Sequence, residues 1–358
     1  MAFVFIGFTV NAQIVNIPDA NFKAKLLAAN PSNTIASNAL NVSIKIDTNN
    51  DNEIQVSEAL QVAWLNISSS GISNLTGLVS FTNLNLLNCS DNQITALDLT
   101  GLNSLVNLVC AYNQIPELDF GAINLQELQC HYNLLTALDV SNMSNLYFLF
   151  CGNNQLSSLN LSGLINLIEL DAGTNLLTTI DLNGLPVLED INLDTNLLTS
   201  IDLSSLPNVA NIDIVGNNLT EILCKNGHNE NLFFISNPDL NYICCDDSQI
   251  SGLQSQAVLY GYTNCTVNSS CTLSNEDLNI ETSFSVSPNP TNQILNLETK
   301  AMMEVKSIAV YNLLGQIVIT ISNAENTSVI DVSDLKKGTY FMKVITNIGT
   351  ANTKFIKN

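Results

Sequence analysis

The densest group of side chains able to do chemistry lies near the amino terminus, where oxygen-bearing residues alternate along one short segment. The group comprises Asp47, Asn49, Asp51, Glu53 and Glu58. A hard cation such as Ca²⁺ takes about six to eight oxygen ligands from carboxylates, amides and backbone carbonyls. The alternation therefore predicts a bound calcium ion, and the alternative is a solvated turn rich in Asp and Asn.

The segment 47–58 resembles an EF-hand-type calcium loop. Its first, third and fifth residues carry side-chain oxygens, Glu53 stands where a backbone carbonyl serves, and Glu58 stands at the bidentate position. The sixth residue departs from the pattern, because Asn52 replaces glycine there. Asn tolerates the left-handed backbone that this position requires, so the loop can keep its form with weaker affinity.

The loop belongs to a predicted amino-terminal cap over residues 13–62. The stretch 17–27 is typical of a capped helix, with Pro18 near its start. A helix, a loop and the following coil at Trp64 would close one end of a larger structure. Calcium would then be mainly structural.

A repeat of about 21 residues runs through the middle of the chain. It is marked by a recurrent asparagine, at Asn92, Asn113, Asn133, Asn154, Asn175, Asn196 and Asn217. Apolar residues stand five and eight positions before each of these. The pattern predicts one short strand per repeat, with alternate side chains inward, and an Asn that satisfies backbone groups at the turn.

This spacing, L-x-x-L-x-(C/L)-x-x-N, resembles the leucine-rich repeat. The resemblance implies an α/β-type solenoid over residues 63–243, with short parallel strands and a mostly irregular convex side. Four repeats carry a cysteine three residues before the Asn, and later repeats hold Ala, Leu or Ile there. We interpret these cysteines as buried packing residues rather than a metal or redox site.

Charge and composition exclude several classes of partner. The chain of 358 residues has 32 acidic residues, 11 basic residues that are all Lys, and a net charge of −21. Such a chain is a poor partner for nucleic acid or an anionic membrane. Residues 284–358 hold seven Lys against five acids, whereas residues 1–283 hold four against 27. A domain boundary is therefore expected near residue 283.

Both ends of the solenoid region carry signs of secretion. Residues 1–12 are apolar and end in Val-Asn-Ala, as in a signal peptide whose basic start is missing, and no apolar run is long enough to span a membrane. Residues 244–272 are predicted to form a cap, and their motifs resemble the terminal cap of secreted Bacteroidetes leucine-rich proteins. One or two disulfides are expected among Cys224, Cys244, Cys245, Cys265 and Cys271.

The last 75 residues alternate apolar and polar positions in short runs separated by turns, which predicts an antiparallel β-sandwich. The motifs Pro288-Asn289-Pro290, 311–316, Gly338-Thr339-Tyr340 and 354–357 occur in an order that closely resembles the type A C-terminal sorting domain of the type IX secretion system. The resemblance implies recognition by that secretion machinery, cleavage in the polar linker 273–283, and a location outside the cell or on the outer-membrane surface. The alternative is an ordinary immunoglobulin-like binding domain.

The outward residues of the predicted strands form a candidate ligand-binding face. Its aromatic part comprises the outward residues His131, Phe148 and Phe150, with Tyr112 and Tyr132 just beside them. Its acidic part comprises Glu169, Asp171, Asp190, Asp194 and Asp213. Exposed aromatics anchor protein interfaces and suit sugar faces, whereas acids favour cationic or calcium-bridged ligands. The alternative is that the acids only keep a secreted solenoid soluble.

Two functional classes compete, and the sequence favours a binding protein over an enzyme. The two histidines, His131 and His228, give no convincing catalytic triad, and no phosphate loop or zinc spacing occurs. Glu169 and Asp190 could in principle attack a glycoside, but a shallow solenoid face does not enclose a substrate. We therefore expect a secreted or surface-attached protein that binds an extracellular protein or glycan, with a spacer or inhibitor role as the alternative.

Overall fold

The computed structural model describes residues 13–141, 143–271, 284–299, 305–313, 316–322, 328–346 and 349–358. The chain divides into two compact units after Cys271. The expected signal peptide at 1–12 and the expected linker at 273–283 lie outside the described residues.

The first unit contains, among its described residues, three α-helices and fourteen short strands. In chain order these are α1 (Ala20–Leu27), β1 (Ala36–Ser37), α2 (Val56–Ala59), β2 (Trp64–Asn66), β3 (Leu86–Asn88), β4 (Asn107–Val109), β5 (Glu127–Gln129), β6 (Phe148–Phe150), β7 (Glu169–Asp171), β8 (Asp190–Asn192), β9 (Ser200–Asp202), β10 (Asn211–Asp213), β11 (Glu221–Leu223), β12 (Asn231–Phe233), β13 (Tyr242–Cys244), α3 (Ile250–Leu259) and β14 (Thr266–Asn268). A 3₁₀ turn spans Leu78–Ser80.

The main sheet has the order β1-β2-β3-β4-β5-β6-β7-β8-β10-β12 and is parallel apart from β1. Neighbouring strands pair in register, so Phe148, Glu169 and Asp190 stand side by side on β6, β7 and β8. A smaller parallel sheet, β14-β13-β11-β9, lies on the side of the last coils opposite the main sheet. Elsewhere that side is irregular, which confirms the predicted leucine-rich repeat solenoid.

The inward residues of successive coils stack into one continuous core. The apolar residues five and eight positions before each ladder Asn are at most 3% exposed. Burying a side chain of this size contributes about 1.5–3 kcal/mol, and no single coil could bury its own set. Four cysteines form a buried row within this core, Cys89, Cys110, Cys130 and Cys151. Burial raises the pKa of Cys89 to about 12, so its thiol stays protonated and inert.

The recurrent asparagines tie each coil to the one before it. Asn133 is typical: its Oδ1 accepts from the Ile115 amide at 3.0 Å, and its Nδ2 donates to the carbonyls of Cys110 and Cys130 at 3.0 and 3.1 Å. The residue before each such Asn has a left-handed backbone. The Asn side chain thus satisfies buried backbone groups that the tight turn leaves without partners.

The amino-terminal cap is fastened to the first coils by Asp19. Its Oδ1 accepts from the Asn21 and Phe22 amides at the start of α1, both at 2.9 Å. Its Oδ2 accepts from the amides of Ser73 and Asn74 at 2.9 and 3.0 Å. Burial alone would raise the pKa of Asp19, but these hydrogen bonds lower it overall. One carboxylate therefore serves both the helix and the coil.

The carboxy-terminal cap is closed by α3 and one disulfide. The disulfide joins Cys244 on β13 to Cys271, whereas Cys224, Cys245 and Cys265 are free and buried. An aromatic group packs over the last coil, where the Phe234 and Tyr260 rings meet edge to face at 5.1 Å. These contacts cover apolar surface that an open solenoid end would expose.

The second unit consists, in its described residues, of seven strands in two antiparallel sheets. The strands are β15 (Phe284–Ser287), β16 (Ile294–Thr299), β17 (Val305–Tyr311), β18 (Ile317–Ser322), β19 (Val329–Asp331), β20 (Gly338–Thr346) and β21 (Gly349–Lys357). The sheet orders are β15-β16-β19 and β18-β17-β20-β21. Leu295 and Ile330 from one sheet share a core with Val310, Met342 and Phe355 from the other. This is the predicted sandwich.

Candidate binding face

The aromatic part of the main sheet's outer face consists of a group of three rings and a pair. The Tyr112 and Tyr132 rings stack with centroids 4.4 Å apart, and His131 meets Tyr112 edge to face at 5.3 Å. The rings of Phe148 and Phe150 lie parallel at 6.4 Å on β6. We call these five residues the aromatic patch. Tyr112 and Tyr132 are 51% and 46% exposed, so both residues are open to solvent.

The two tyrosines occupy backbone positions that rarely hold large side chains. Tyr112 and Tyr132 have φ of 54° and 52°. The equivalent residues of other coils are small or polar, namely Asp91, Asn153, Thr174, Thr195, Gly216 and Ser236. A bulky residue in the left-handed region costs conformational energy, and such strain concentrates at functional positions. Because the turn sets this backbone in every coil, what distinguishes the stacked pair is two large exposed rings at positions that the other coils fill with small or polar residues.

The acidic part of the face lies on the neighbouring strands β7, β8 and β10 and, with Asp194, just after β8. We call Glu169, Asp171, Asp190, Asp194 and Asp213 the acidic patch. Burial, with the charges of Asp190 and Asp171, raises the pKa of Glu169. Burial, with the charge of Asp194, likewise raises the pKa of Asp171. Among the described residues the one ion pair joins Lys23 to Glu53 at 2.7 Å, so no patch carboxylate is neutralised by a cation.

Two glycines form a notch between the aromatic and acidic patches. Successive coils place His131, Gly152, Gly173 and Asp194 at the same position, two residues before the ladder Asn. A Cβ at Gly152 would lie 2.8 Å from Asp171 Oδ1, and one at Gly173 would overlap Asp194 Oδ1. Both carboxylates therefore lie over the glycine backbone. The sequence analysis did not single out these glycines, although both stand two residues before a ladder Asn.

His131 closes the notch on its aromatic side. Burial lowers the pKa of His131 despite the charge of Asp171, so the imidazole is neutral at pH 7. Its Nδ1 is buried and has no hydrogen-bond partner within the described part of the chain. Buried polar atoms are nearly always paired, so this nitrogen is an exception within the aromatic patch.

The predicted calcium loop has part of the expected geometry. Asn52 has φ of 62°, as the sixth position requires, and Asp47 and Glu58 are 4% and 6% exposed. The Glu58 carboxylate accepts from the amide and hydroxyl of Thr48, each at 2.7 Å, and from the Gln55 amide at 3.1 Å.

Asp51, another carboxylate of the calcium loop, accepts hydrogen bonds from groups within the loop. Asp51 Oδ1 accepts from the Glu53 amide at 2.8 Å, and Asp51 Oδ2 accepts from the side-chain amides of Asn49 and Gln55 at 2.9 and 2.8 Å. No three acidic, His or Cys side chains converge as a metal site in the part of the chain that the structure describes. The donor set is that of a calcium loop, and calcium binding stays a prediction.

Comparison with known proteins gives a clear family match for the second unit. Residues 285–358 match the family model described as "Secretion system C-terminal sorting domain". No curated protein matches the chain. Within the described residues no helix has the length and apolar character to cross a membrane.

Solved structures similar to the chain are leucine-rich repeat proteins. The functional domain of InlJ from Listeria monocytogenes, which includes a cysteine ladder, is 17% identical, with 97% of this chain and 99% of that chain covered and a TM-score of 0.34. A leucine-rich repeat protein of Leptospira interrogans is 17% identical over 59% and 73%, with a TM-score of 0.40. The APL1 leucine-rich repeat domain is 19% identical over 55% and 61%, with a TM-score of 0.46.

The asparagine ladder and the sorting-domain match together define the class of this protein. It is a leucine-rich repeat protein with a type IX secretion sorting domain. The sorting domain makes it a protein of the cell exterior, either secreted or held at the outer-membrane surface.

Proposed function

We propose that this protein is a binding or adhesion protein whose concave leucine-rich face captures an extracellular protein or glycan. The type IX machinery would be its second partner, acting through the C-terminal domain. The observation that carries the proposal is the stacked Tyr112–Tyr132 pair, held half-exposed at a left-handed backbone position. Exposed aromatic side chains on a rigid sheet are typical anchors of binding energy.

Further support comes from how the aromatic and acidic patches meet. Phe150 and Asp171 are register partners on β6 and β7, so apolar and charged groups lie one strand spacing apart. A ligand that spans this border would gain both ring contact and charge complementarity. A spacer or inhibitor role would not need exposed rings in strained positions.

A glycan-acting hydrolase is the less favoured alternative. Glu169 and Asp190 stand side by side on β7 and β8, and the pKa of Glu169 is raised by burial and by Asp190, as a general acid requires. Both carboxylates nevertheless lie on an open sheet, where water reaches any bound sugar. We therefore propose binding rather than catalysis.

The test is a glycan and extracellular-protein array probed with the full chain, in calcium and in chelator. We expect a ligand whose affinity falls at least about tenfold in the variant Tyr112→Ala/Tyr132→Ala/Phe150→Ala. Each removed ring takes away contact area that the ligand would bury. The matched control is Phe233→Ala, since Phe233 lies in the same register row of the sheet, four strands from Phe150.

The outcomes separate the alternatives. A folded triple variant that keeps every hit would contradict a role for the aromatic patch. Silence of the folded wild-type chain under both conditions would favour the spacer or inhibitor role. Turnover of a bound glycan would favour the hydrolase.

A further inference from the structure

The chain contains two Asn-Gly pairs, and each can undergo the same intramolecular reaction. The pairs are Asn183-Gly184, on a turn between β7 and β8, and Asn226-Gly227, between β11 and β12. The backbone nitrogen of the glycine can attack the side-chain carbonyl carbon of the asparagine before it. Glycine resists this attack least because it carries no side chain. The contacts around each pair therefore decide which asparagine reacts.

The first pair, Asn183 and Gly184, is open to solvent. Both residues are exposed, on a turn whose flanking residues Leu182 and Leu185 are buried in the core. The Gly184 nitrogen donates no hydrogen bond to the described residues, so it is available as the nucleophile. A Cβ added at Gly184, where φ is 80°, would meet nothing within 4 Å, so neighbouring groups leave room for the backbone to rotate.

The turn that carries Asn183 is less firmly closed than the matching turns of other coils. In those turns the closing amide donates to the carbonyl three residues earlier, at 2.9–3.2 Å. The amides that close these turns belong to Leu102, Ile123, Met143, Leu164 and Leu206. The corresponding Leu185 amide makes no backbone hydrogen bond within the part of the chain that the structure describes. The Asn183 side chain is held by one bond, from its Nδ2 to Oδ1 of the exposed Asp181 at 2.7 Å, and water competes for that oxygen.

The second pair is held by hydrogen bonds on both residues. The Gly227 amide donates to Asp246 Oδ2 at 2.7 Å, and Asn226 Oδ1 accepts from the His228 amide at 2.9 Å. The Asn226 Nδ2 is buried. A nitrogen that donates to a carboxylate must lose that bond before it can attack, and such a bond is stronger than one between neutral groups. Asn226 is therefore an internal control with the same dipeptide sequence.

We propose that Asn183 is a site of spontaneous deamidation in the folded protein, whereas Asn226 is protected. The Gly184 nitrogen, after losing its proton to hydroxide, attacks Asn183 Cγ. The new N–Cγ bond forms, the Cγ–Nδ2 bond breaks, and ammonia leaves with a proton from water. A second water molecule then opens the cyclic imide at either carbonyl, which gives aspartate or isoaspartate. The net exchange is one water taken up and one ammonia released, and no oxidant or reductant takes part.

The reaction changes both the charge and the backbone of this coil. Either product places a carboxylate beside Asp181, whose Oδ1 accepts from the side-chain amide that is lost. A hydrogen bond is thus replaced by repulsion between like charges. The isoaspartate also lengthens the main chain between Leu182 and Leu185, two residues fixed in the core. We therefore expect the aged chain to unfold at a lower urea concentration than the fresh chain.

The experiment incubates the full chain in mildly alkaline buffer and follows both Asn-Gly pairs by peptide mapping with mass spectrometry. Isoaspartyl methyltransferase labelling detects the isoaspartate product. We expect Asn183 to react at least about tenfold faster than Asn226, because Gly227 must first break its bond to a carboxylate. The rate at Asn183 should rise with pH, since the attacking nitrogen must be deprotonated. A free peptide of residues 179–187 sets the time scale, and folded Asn183 should react within about tenfold of it.

Two variants test the structural reasons for the difference. Asn183→Ser copies Ser162-Gly163, the matching pair of the preceding coil, so it should keep the turn and remove both the modification and the effect of ageing on unfolding. Asp246→Ala frees the Gly227 amide, so it should raise the rate at Asn226 at least about fivefold and leave Asn183 unchanged. Unchanged circular dichroism before incubation confirms that each variant is folded.

Three results would overturn the inference. Asn183 in the folded wild type could stay intact while the free peptide reacts, or Asn183 and Asn226 could react at equal rates. Ageing could also lower the urea midpoint of Asn183→Ser as much as that of the wild type, which would separate the loss of stability from this residue. None of these results bears on the proposed binding function, because the turn at Asn183 lies outside the main sheet.

Discussion

At the scale of single residues, the ladder asparagines make the sharpest stability prediction. Asn175 is 6% exposed; its Oδ1 accepts from the Leu156 amide at 2.9 Å, and its Nδ2 donates to the carbonyls of Cys151 and Ala172 at 3.1 Å. Asn175→Ala leaves these buried groups unpaired, so we expect the free energy of unfolding to fall by about 3 kcal/mol. Urea unfolding followed by circular dichroism measures the loss.

The control for this prediction is Asn103→Ala. Asn103 is exposed, and its side chain makes no hydrogen bond to any of the described residues. We expect a change of less than about 0.5 kcal/mol there. Equal effects of the two substitutions would show that the ladder bonds add nothing beyond ordinary surface contacts.

The ladder residues were predictable from sequence, but the notch was not. A fixed spacing of Asn and Leu is enough to assign turn and core roles, because every coil repeats them. The positions of Asp171 and Asp194 over two glycines depend on which way each carboxylate leans, and a repeat pattern carries no such information. The unpartnered Nδ1 of His131 likewise follows from packing against Tyr112 and Tyr132.

At the scale of elements, the 47–58 loop carries a prediction on calcium. We propose that Ca²⁺ binds this loop and stiffens the amino-terminal cap, because the loop has the oxygen-bearing residues of a calcium loop and Asn52 has the left-handed backbone that its sixth position requires. At a calcium concentration about a hundred times Kd, binding stabilises the folded cap by about 2.7 kcal/mol. We expect chelation to lower the melting temperature of the cap by roughly 10–20 °C.

Trp64 gives a local readout for this prediction. It is the single tryptophan of the chain and lies on β2, at the junction of cap and coils. Its fluorescence should report cap melting separately from the circular dichroism of the whole solenoid. In Asp47→Asn/Glu58→Gln the calcium effect should vanish, and in Asp98→Asn it should persist. A wild-type melting temperature that ignores chelation would rule the calcium role out.

Helices were less predictable than strands, and α1 and α3 show why. The helix α1 follows Pro18, a start signal that sequence alone reveals, and it buries Phe22 and Leu26. The helix α3 has no side-chain cap and buries only Leu253 and Ala257 of its ten residues. Its stability comes from packing in the carboxy-terminal cap, so its local sequence did not indicate it.

At the scale of the whole molecule, the charge break near residue 283 separates two units with different tasks. The solenoid unit buries its own core, and the second unit buries another around Leu295, Val310 and Phe355. Separate cores allow either unit to stay folded without the other. The strongly acidic unit is suited to solubility and ligand attraction outside the cell, whereas the second unit carries the export signal.

This separation makes the last prediction, on export. In a host with a functioning type IX system, the full chain should reach the medium or cell surface, and the chain lacking residues 284–358 should stay inside, although its solenoid keeps its own core. Immunoblots of cell and medium fractions measure this. The control is Tyr112→Ala/Tyr132→Ala/Phe150→Ala, which alters the binding face and should be exported normally. Equal export of the shortened chain would mean that the C-terminal unit is not the address that the machinery reads.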